Sequence, residues 1–218
     1  MGSETLLFGL PIEILALIIS IIAIILVFLK DFILPWWFKP ELRFNYEEKP
    51  PYRRENVVIN RIRDLKGTFL RFAVNNAGRR LAINCRCQIL KVEKEKKLFG
   101  DYQGFPLAWA SRPESTIDPV SGERLNIAIG ETEFINLAVA ANNNTFINLQ
   151  KYHNVDIGIK EVIEPGEYNL FLIFSGDNFK PYILQFYINK ENSTDSNKIE
   201  LRLIGSTRGL PKKAENEK

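Results

Sequence analysis

Residues 14–29 are apolar at every position except Ser20, and thirteen of these sixteen are Ile, Leu, Val or Phe. At roughly −0.3 to −0.6 kcal/mol for each such residue, moving the run into hydrocarbon is favourable by about 5 kcal/mol. So long a helix, apolar on every side, has no polar face to show to water, which argues against the buried helix of a soluble fold. The flanking residues fit a span over 11–34. Pro11 suits a first helical turn, where its missing N–H would be unpaired anyway, and Glu13 sits where the helix dipole favours a carboxylate. Pro35 closes the pattern. The ~24 residues between these prolines make a helix of about 36 Å, a little more than a ~30 Å hydrocarbon core requires. Lys30 can snorkel toward headgroups, and Trp36, Trp37 and Phe38 followed by Lys39 read as an interfacial anchor.

A cleaved signal peptide would carry a basic N-terminal region and a small-x-small cleavage site. The first ten residues hold no Lys or Arg, and no Ala-x-Ala follows the helix. Basic residues instead cluster after the span, at Lys30, Lys39, Arg43, Lys49, Arg53 and Arg54. The positive-inside rule then places the C-terminal domain in the cytoplasm and residues 1–10 outside, as a short tail. The two cysteines, Cys85 and Cys87, are poorly spaced for a mutual disulfide on one strand, which agrees with a reducing compartment.

From Lys30 onward the chain carries all 29 basic residues and 24 of the 26 acidic ones. A mixed-sign excess of this size suits a domain beside an anionic leaflet, where each nearby Lys or Arg contributes ~1 kcal/mol. It lacks the concentrated basic stripe of a nucleic-acid binder. Period-two alternation marks strands at 41–46, 68–75, 82–93, 133–141, 155–160, 168–174, 182–189 and 199–204. Glu164-Pro165-Gly166-Glu167 has the composition of a type II turn, and Asn75-Asn76-Ala77-Gly78 and Gly176-Asp177-Asn178 are further turn signals. The expectation is a mainly β chain: one N-terminal transmembrane helix, then an antiparallel β-sandwich of seven to nine strands over 55–204, its first strand at 41–46. Residues 35–54, with Pro50-Pro51, read as anchor and spacer, and 205–218 as a disordered polar tail.

The string Leu70-Arg71-Phe72-Ala73-Val74-Asn75-Asn76-Ala77-Gly78, continuing at Ala82-Ile83-Asn84-Cys85-Arg86-Cys87, resembles the strand, Asn-x-Gly turn, strand pattern of CARDB-like and other immunoglobulin-like modules. Pro165-Gly166-Glu167-Tyr168, leading into Leu170, Leu172 and Phe174, is similar to the Pro-Gly-x-Tyr strand start of those modules. Leu107-x-Trp109 and the stretch from Gly130-Glu131 to Leu137 extend the likeness to uncharacterised prokaryotic single-span membrane proteins. The resemblance implies an immunoglobulin-like sandwich over most of 40–204. It carries no catalytic residues, and fold alone leaves function open.

Chemistry-bearing motifs are scarce. The single histidine, His153, has no nucleophile elbow to serve. Cys85-x-Cys87 offers two soft ligands where a structural zinc needs four, so both thiols are expected to point inward within the Ile83 to Ile89 stripe. Glu47-Glu48 and Asp177 lie in no calcium-loop pattern, and the Walker A and Gly-x-Gly-x-x-Gly patterns are missing. Sequons occur at Asn143 and Asn192. Trp109, with Phe105 and Leu107, is either a core residue between sheets or a candidate partner contact. The expected protein has no catalytic, metal or cofactor site. It is a non-enzymatic interaction or scaffolding module whose partners are the bilayer and another protein. The alternative is an extracytoplasmic structural or adhesion-type protein that binds envelope polymer, glycan or an appendage component.

Overall fold

The computed structural model describes residues 12–60, 65–99, 103–111, 124–141, 144–147, 162–191 and 198–209. The chain falls into two compact units, Met1–Lys39 and Pro40–Lys218.

The first unit is helical. Helix α1 (Ile12–Phe28) runs into one wide π turn, Leu29–Ile33, and then a short helix α2 (Leu34–Trp37). The π turn has a local cause. Pro35 offers no N–H to the turn before it, so the helix widens ahead of it and the Leu34 N–H bonds the Leu29 carbonyl. Pro35 therefore reshapes the helix rather than ending it at residue 34, and the helical path continues through Trp37. The Ser20 hydroxyl donates to the Ala16 carbonyl at 2.9 Å, which satisfies the one polar side chain in the apolar run. Residues Glu13–Ile33 form the one helix, among those described, that is long and apolar enough to cross a membrane, and its most apolar stretch has no protein cover. At 1.5 Å per residue these 21 residues reach about 31 Å.

The second unit is a two-sheet antiparallel sandwich. One sheet takes the order β1 (Leu42–Asn45), β3 (Leu65–Asn76), β7 (Thr132–Ala141), β8 (Asn144–Ile147), β9 (Val162–Ile163), with β2 (Arg53–Asn60) also on β3. The other has the order β12 (Ile199–Arg208), β11 (Tyr182–Lys190), β10 (Gly166–Ser175), β4 (Ala82–Lys94), β5 (Lys97–Leu98), with β6 (Leu125–Ile127) also on β4. Strict alternation drives the second sheet. On β11 every odd position of the strand, from Tyr182 to Lys190, is buried and the residues between are half-exposed. These inward side chains meet those of the first sheet: Phe72 lies 5.0 Å from Phe186, and Phe44 meets Phe174 edge-on at 5.3 Å.

Several expectations shift in detail. Strand β2 starts two residues inside the stretch read as spacer and pairs with β3 from Arg53↔Leu70 onward. Strand β12 runs on to Arg208 because Gly205, Ser206, Thr207 and Arg208 stay paired with β11, so residues 205–208 are strand rather than tail. The turn signal at Glu164 to Glu167 falls in the crossover between β9 and β10, which belong to different sheets, and Gly166 takes a positive φ of +139° there. The mixed-charge run at 91–97 ends β4 in a tight turn, with Glu95 and Lys96 both at positive φ as a type I′ hairpin requires. The strand expected at 155–160 lies outside the described residues, as does 210–218.

Residues 104–110 close one side of the sandwich. The Leu107 N–H bonds the Cys87 carbonyl on β4, and the Ala110 N–H bonds the Phe134 carbonyl on β7, both within 3 Å. One segment thus stitches both sheets together, and Trp109 fills the space between them.

Candidate functional site

Trp109 is 1% exposed, forms a bridge to Ile135 and meets Phe174 edge-on at 6.1 Å. It is a core tryptophan. Its side chain is not displayed, so the candidate partner contact is corrected: the segment that carries Trp109 must reach both sheets, and only an inward ring fills the gap there. Cys85 and Cys87 are also buried, on the inner face of β4. Burial pushes the Cys85 thiol up to about 12, and raises that of Cys87 too. Thiols held protonated are inert nucleophiles. Among the described residues no three His, Cys, Asp or Glu side chains gather as metal ligands. Glu47 pairs with Lys49 at 2.5 Å, Glu48 with Arg53 at 2.9 Å, and Asp177 accepts from the Asn84 amide. His153, Asn143 and Asn192 lie outside the described residues.

Two polar constellations were not anticipated. The first surrounds Arg53, whose side chain is mostly buried where β2 runs beside β12. Its guanidinium donates to Glu48, to Glu55 at 3.2 Å, and to the Ile199 carbonyl at 3.3 Å. An open cleft of about 460 Å³ adjoins it, lined also by Lys198 and Glu200. The Tyr46 hydroxyl is buried nearby without a hydrogen-bond partner. Burial and the Glu48 carboxylate push it up to about 12, with Arg53 opposing. The arginine is already matched by two carboxylates, so the cluster fastens one side of the sandwich more readily than it binds an anion.

The second constellation organises the end of the sandwich at which the chain joins it. Asn76 is fully buried at the close of β3. Its side-chain amide donates to the Arg80 carbonyl at 2.8 Å and the Ile127 carbonyl at 3.0 Å, and its side-chain oxygen accepts from the Gly78 N–H at 3.1 Å. Its backbone carbonyl takes the Gly130 N–H at 2.8 Å. The side chain and backbone of this one residue thereby hold loops 77–81 and 128–131 together. Asn178 adds the third loop by donating to the Leu81 carbonyl at 2.7 Å and accepting from the Ile83 N–H. The Ala77 N–H bonds the Glu41 carbonyl at 2.8 Å, which ties the incoming chain to the same end. The Asn75-Asn76-Ala77-Gly78 signal marked a turn correctly. That the second Asn is the buried hub depends on β6 and the 176–181 loop, which are distant in sequence.

At the expected membrane interface, Lys30, Phe38 and Lys39 are exposed and Trp37 is 56% exposed, with Trp36 in the same short helix. Comparison with known proteins finds no matching family model, no similar curated protein and no similar solved structure.

Proposed function

We propose that this chain is a single-pass membrane protein whose β-sandwich acts, without catalysis, as an interaction or scaffolding module at the membrane surface, on the cytoplasmic side. The carrying observation is the pairing of two parts: an apolar helix of 21 residues without protein cover, and a sandwich whose two thiols are buried and whose described His, Cys, Asp and Glu side chains nowhere gather in threes. Confinement to a surface raises the effective concentration of such a module for any partner held there. The likeness to CARDB and immunoglobulin-like modules belongs to the same reading. Two antiparallel sheets with a tryptophan buried between them support it. The cytoplasmic side is supported by the basic residues that follow the span and by two unpaired cysteines.

Topology is tested first. Lys96→Cys puts a thiol in the exposed β4–β5 turn, while the native thiols stay silent because they are buried. Labelling by a membrane-impermeant maleimide only after permeabilisation agrees with the proposal. Labelling in intact cells favours the extracytoplasmic alternative. The interaction role is then tested by purification in mild detergent. A stoichiometric partner that stays with the full chain and is lost from residues 1–39 alone agrees with it. A partner retained equally by residues 1–39 assigns binding to the helix and contradicts it.

A further inference from the structure

The joining end of the sandwich differs from the opposite end in what it displays. Its loops project Leu81, 38% exposed, and Ile129, 61% exposed, from the framework that Asn76 and Asn178 hold. Exposed Arg79 and Arg80 immediately precede Leu81, and Lys180 is exposed on the neighbouring loop. Arg208, at the end of β12, lies over the Tyr182 ring at 5.6 Å. Of the acids at this end Glu41 pairs with Arg43, while Glu131 and Asp177 keep their charge and accept from neutral donors, the Ala128 N–H at 2.7 Å and the Asn84 amide; the basic residues outnumber these two carboxylates. The opposite end, around Glu93 to Lys97, Glu164 and Glu191, also exposes one apolar side chain, Leu98, but mixes both signs of charge around it.

Covalent geometry restricts what this end can meet. Glu41, whose carbonyl is bonded to Ala77, is four residues past Trp37, the last residue of the helix. Four residues span at most about 14 Å. A domain tethered that closely to a membrane span cannot hold its joining end far from the headgroups.

We propose that the joining end of the sandwich is a lipid-docking surface for an anionic bilayer. Leu81 and Ile129 enter the interfacial region, and Arg79, Arg80 and Lys180 lie at the level of the lipid phosphates. The proposal rests on the membrane-anchored reading above and adds that the domain sits on the bilayer in one orientation. Apolar loop tips supply insertion, basic neighbours supply attraction to anionic lipid, and the rigid Asn76 framework holds both in place.

The test uses the full chain reconstituted in vesicles of phosphatidylcholine, with and without about a third phosphatidylglycerol. Single cysteines at Ile25, Ile129 or Lys96 (Ile25→Cys, Ile129→Cys, Lys96→Cys) carry an environment-sensitive fluorophore, and the lipids carry nitroxide quenchers. Expected is quenching at residue 25 by chain nitroxides in both mixtures, and quenching at 129 by headgroup nitroxides with phosphatidylglycerol at least twofold above that at 96. Replacing Arg79 and Arg80 together (Arg79→Ser, Arg80→Ser) lowers quenching at 129 toward that at 96, with the far-UV circular dichroism of the sandwich unchanged. The seated state weakens roughly fivefold for each charge removed. Quenching at 25 with 129 no different from 96 overturns the docking surface and leaves the anchor standing. Equal quenching at 129 in both lipid mixtures, indifferent to the arginines, overturns the anionic-lipid assignment. A label at 25 that no lipid quencher reaches overturns the anchor and the docking surface together.

Discussion

Replacing Asn76 by alanine probes the loop framework with a magnitude that follows from its bonds. The substitution removes two donated hydrogen bonds, to the Arg80 and Ile127 carbonyls, and one accepted from the Gly78 N–H. Each contributes about 1 kcal/mol net at a buried site, where water does not replace the lost partner, so Asn76→Ala is expected to cost about 3 kcal/mol. That is a large share of the 5–15 kcal/mol typical of a whole domain. For a domain of this length it lowers Tm by about 6–12 °C. Asn76→Asp adds a pH dependence. Its carboxylate would face two carbonyl oxygens, so its folded pKa is raised above the ~3.9 of the unfolded chain. Between those two values the unfolded state sheds a proton that the folded state keeps, and stability falls as pH rises. The Asp variant should therefore be further below the parent at pH 7 than at pH 4, while the Ala deficit stays flat. Denaturation in detergent, followed by the loss of the strand signal in far-UV circular dichroism, reads both. An Asn76→Ala variant within 0.5 kcal/mol of the parent, or an Asp variant with no extra loss at neutral pH, would refute the assignment of Asn76 as the hub.

Three other substitutions test separate parts of the fold. Gly176→Ala places a methyl against the Phe179 ring and 2.7 Å from the Ile83 carbonyl, so a loss of about 1–3 kcal/mol is expected by chemical denaturation; an unchanged midpoint would show that the turn relaxes freely. Trp109→Ala should cost about 3–5 kcal/mol and Trp109→Phe clearly less, read by far-UV circular dichroism, because the ring fills the gap closed by residues 104–110. In the native protein neither cysteine should react with a thiol reagent at pH 8. Because burial holds both thiols protonated beyond the ~8.5 of an unfolded cysteine, stability should fall as pH rises from about 8.5 toward 12. The Cys85→Ala, Cys87→Ala pair should lose less stability between pH 8 and 10 than the parent does, and an equal loss would contradict the burial argument.

The parts of the fold legible in the sequence are those where a single strand carries its own signal. Strands β10 and β11 alternate without interruption over nine or ten residues, because each buries one face against a neighbouring sheet. The apolar helix is legible for a simpler reason, since hydrocarbon tolerates no alternative pattern. Strand β2 was hidden by Arg53-Arg54-Glu55-Asn56. It is an edge strand with register breaks at Arg54/Val57 and Val58/Asn60, so its residues need not alternate. Strands β5, β6 and β9 span only two or three residues each, too few to show a period. Trp109 shows a different limit. Its type and spacing fit both a core and an exposed anchor, and only the path of residues 104–110 between two distant strands decides for the core. The same holds for Asn76 and Arg53, whose bonding partners lie 51 and 146 residues further along the chain.

The central claim is that residues 13–33 lie in hydrocarbon and tether the sandwich to it. Alkaline carbonate extraction of membranes containing the full chain, followed by flotation, tests it most directly. Carbonate strips surface-bound proteins but does not remove a helix with ~30 Å of apolar surface in the bilayer. The chain should float with the vesicles after the wash. Recovery in the soluble fraction, with the sandwich still folded, would contradict the account.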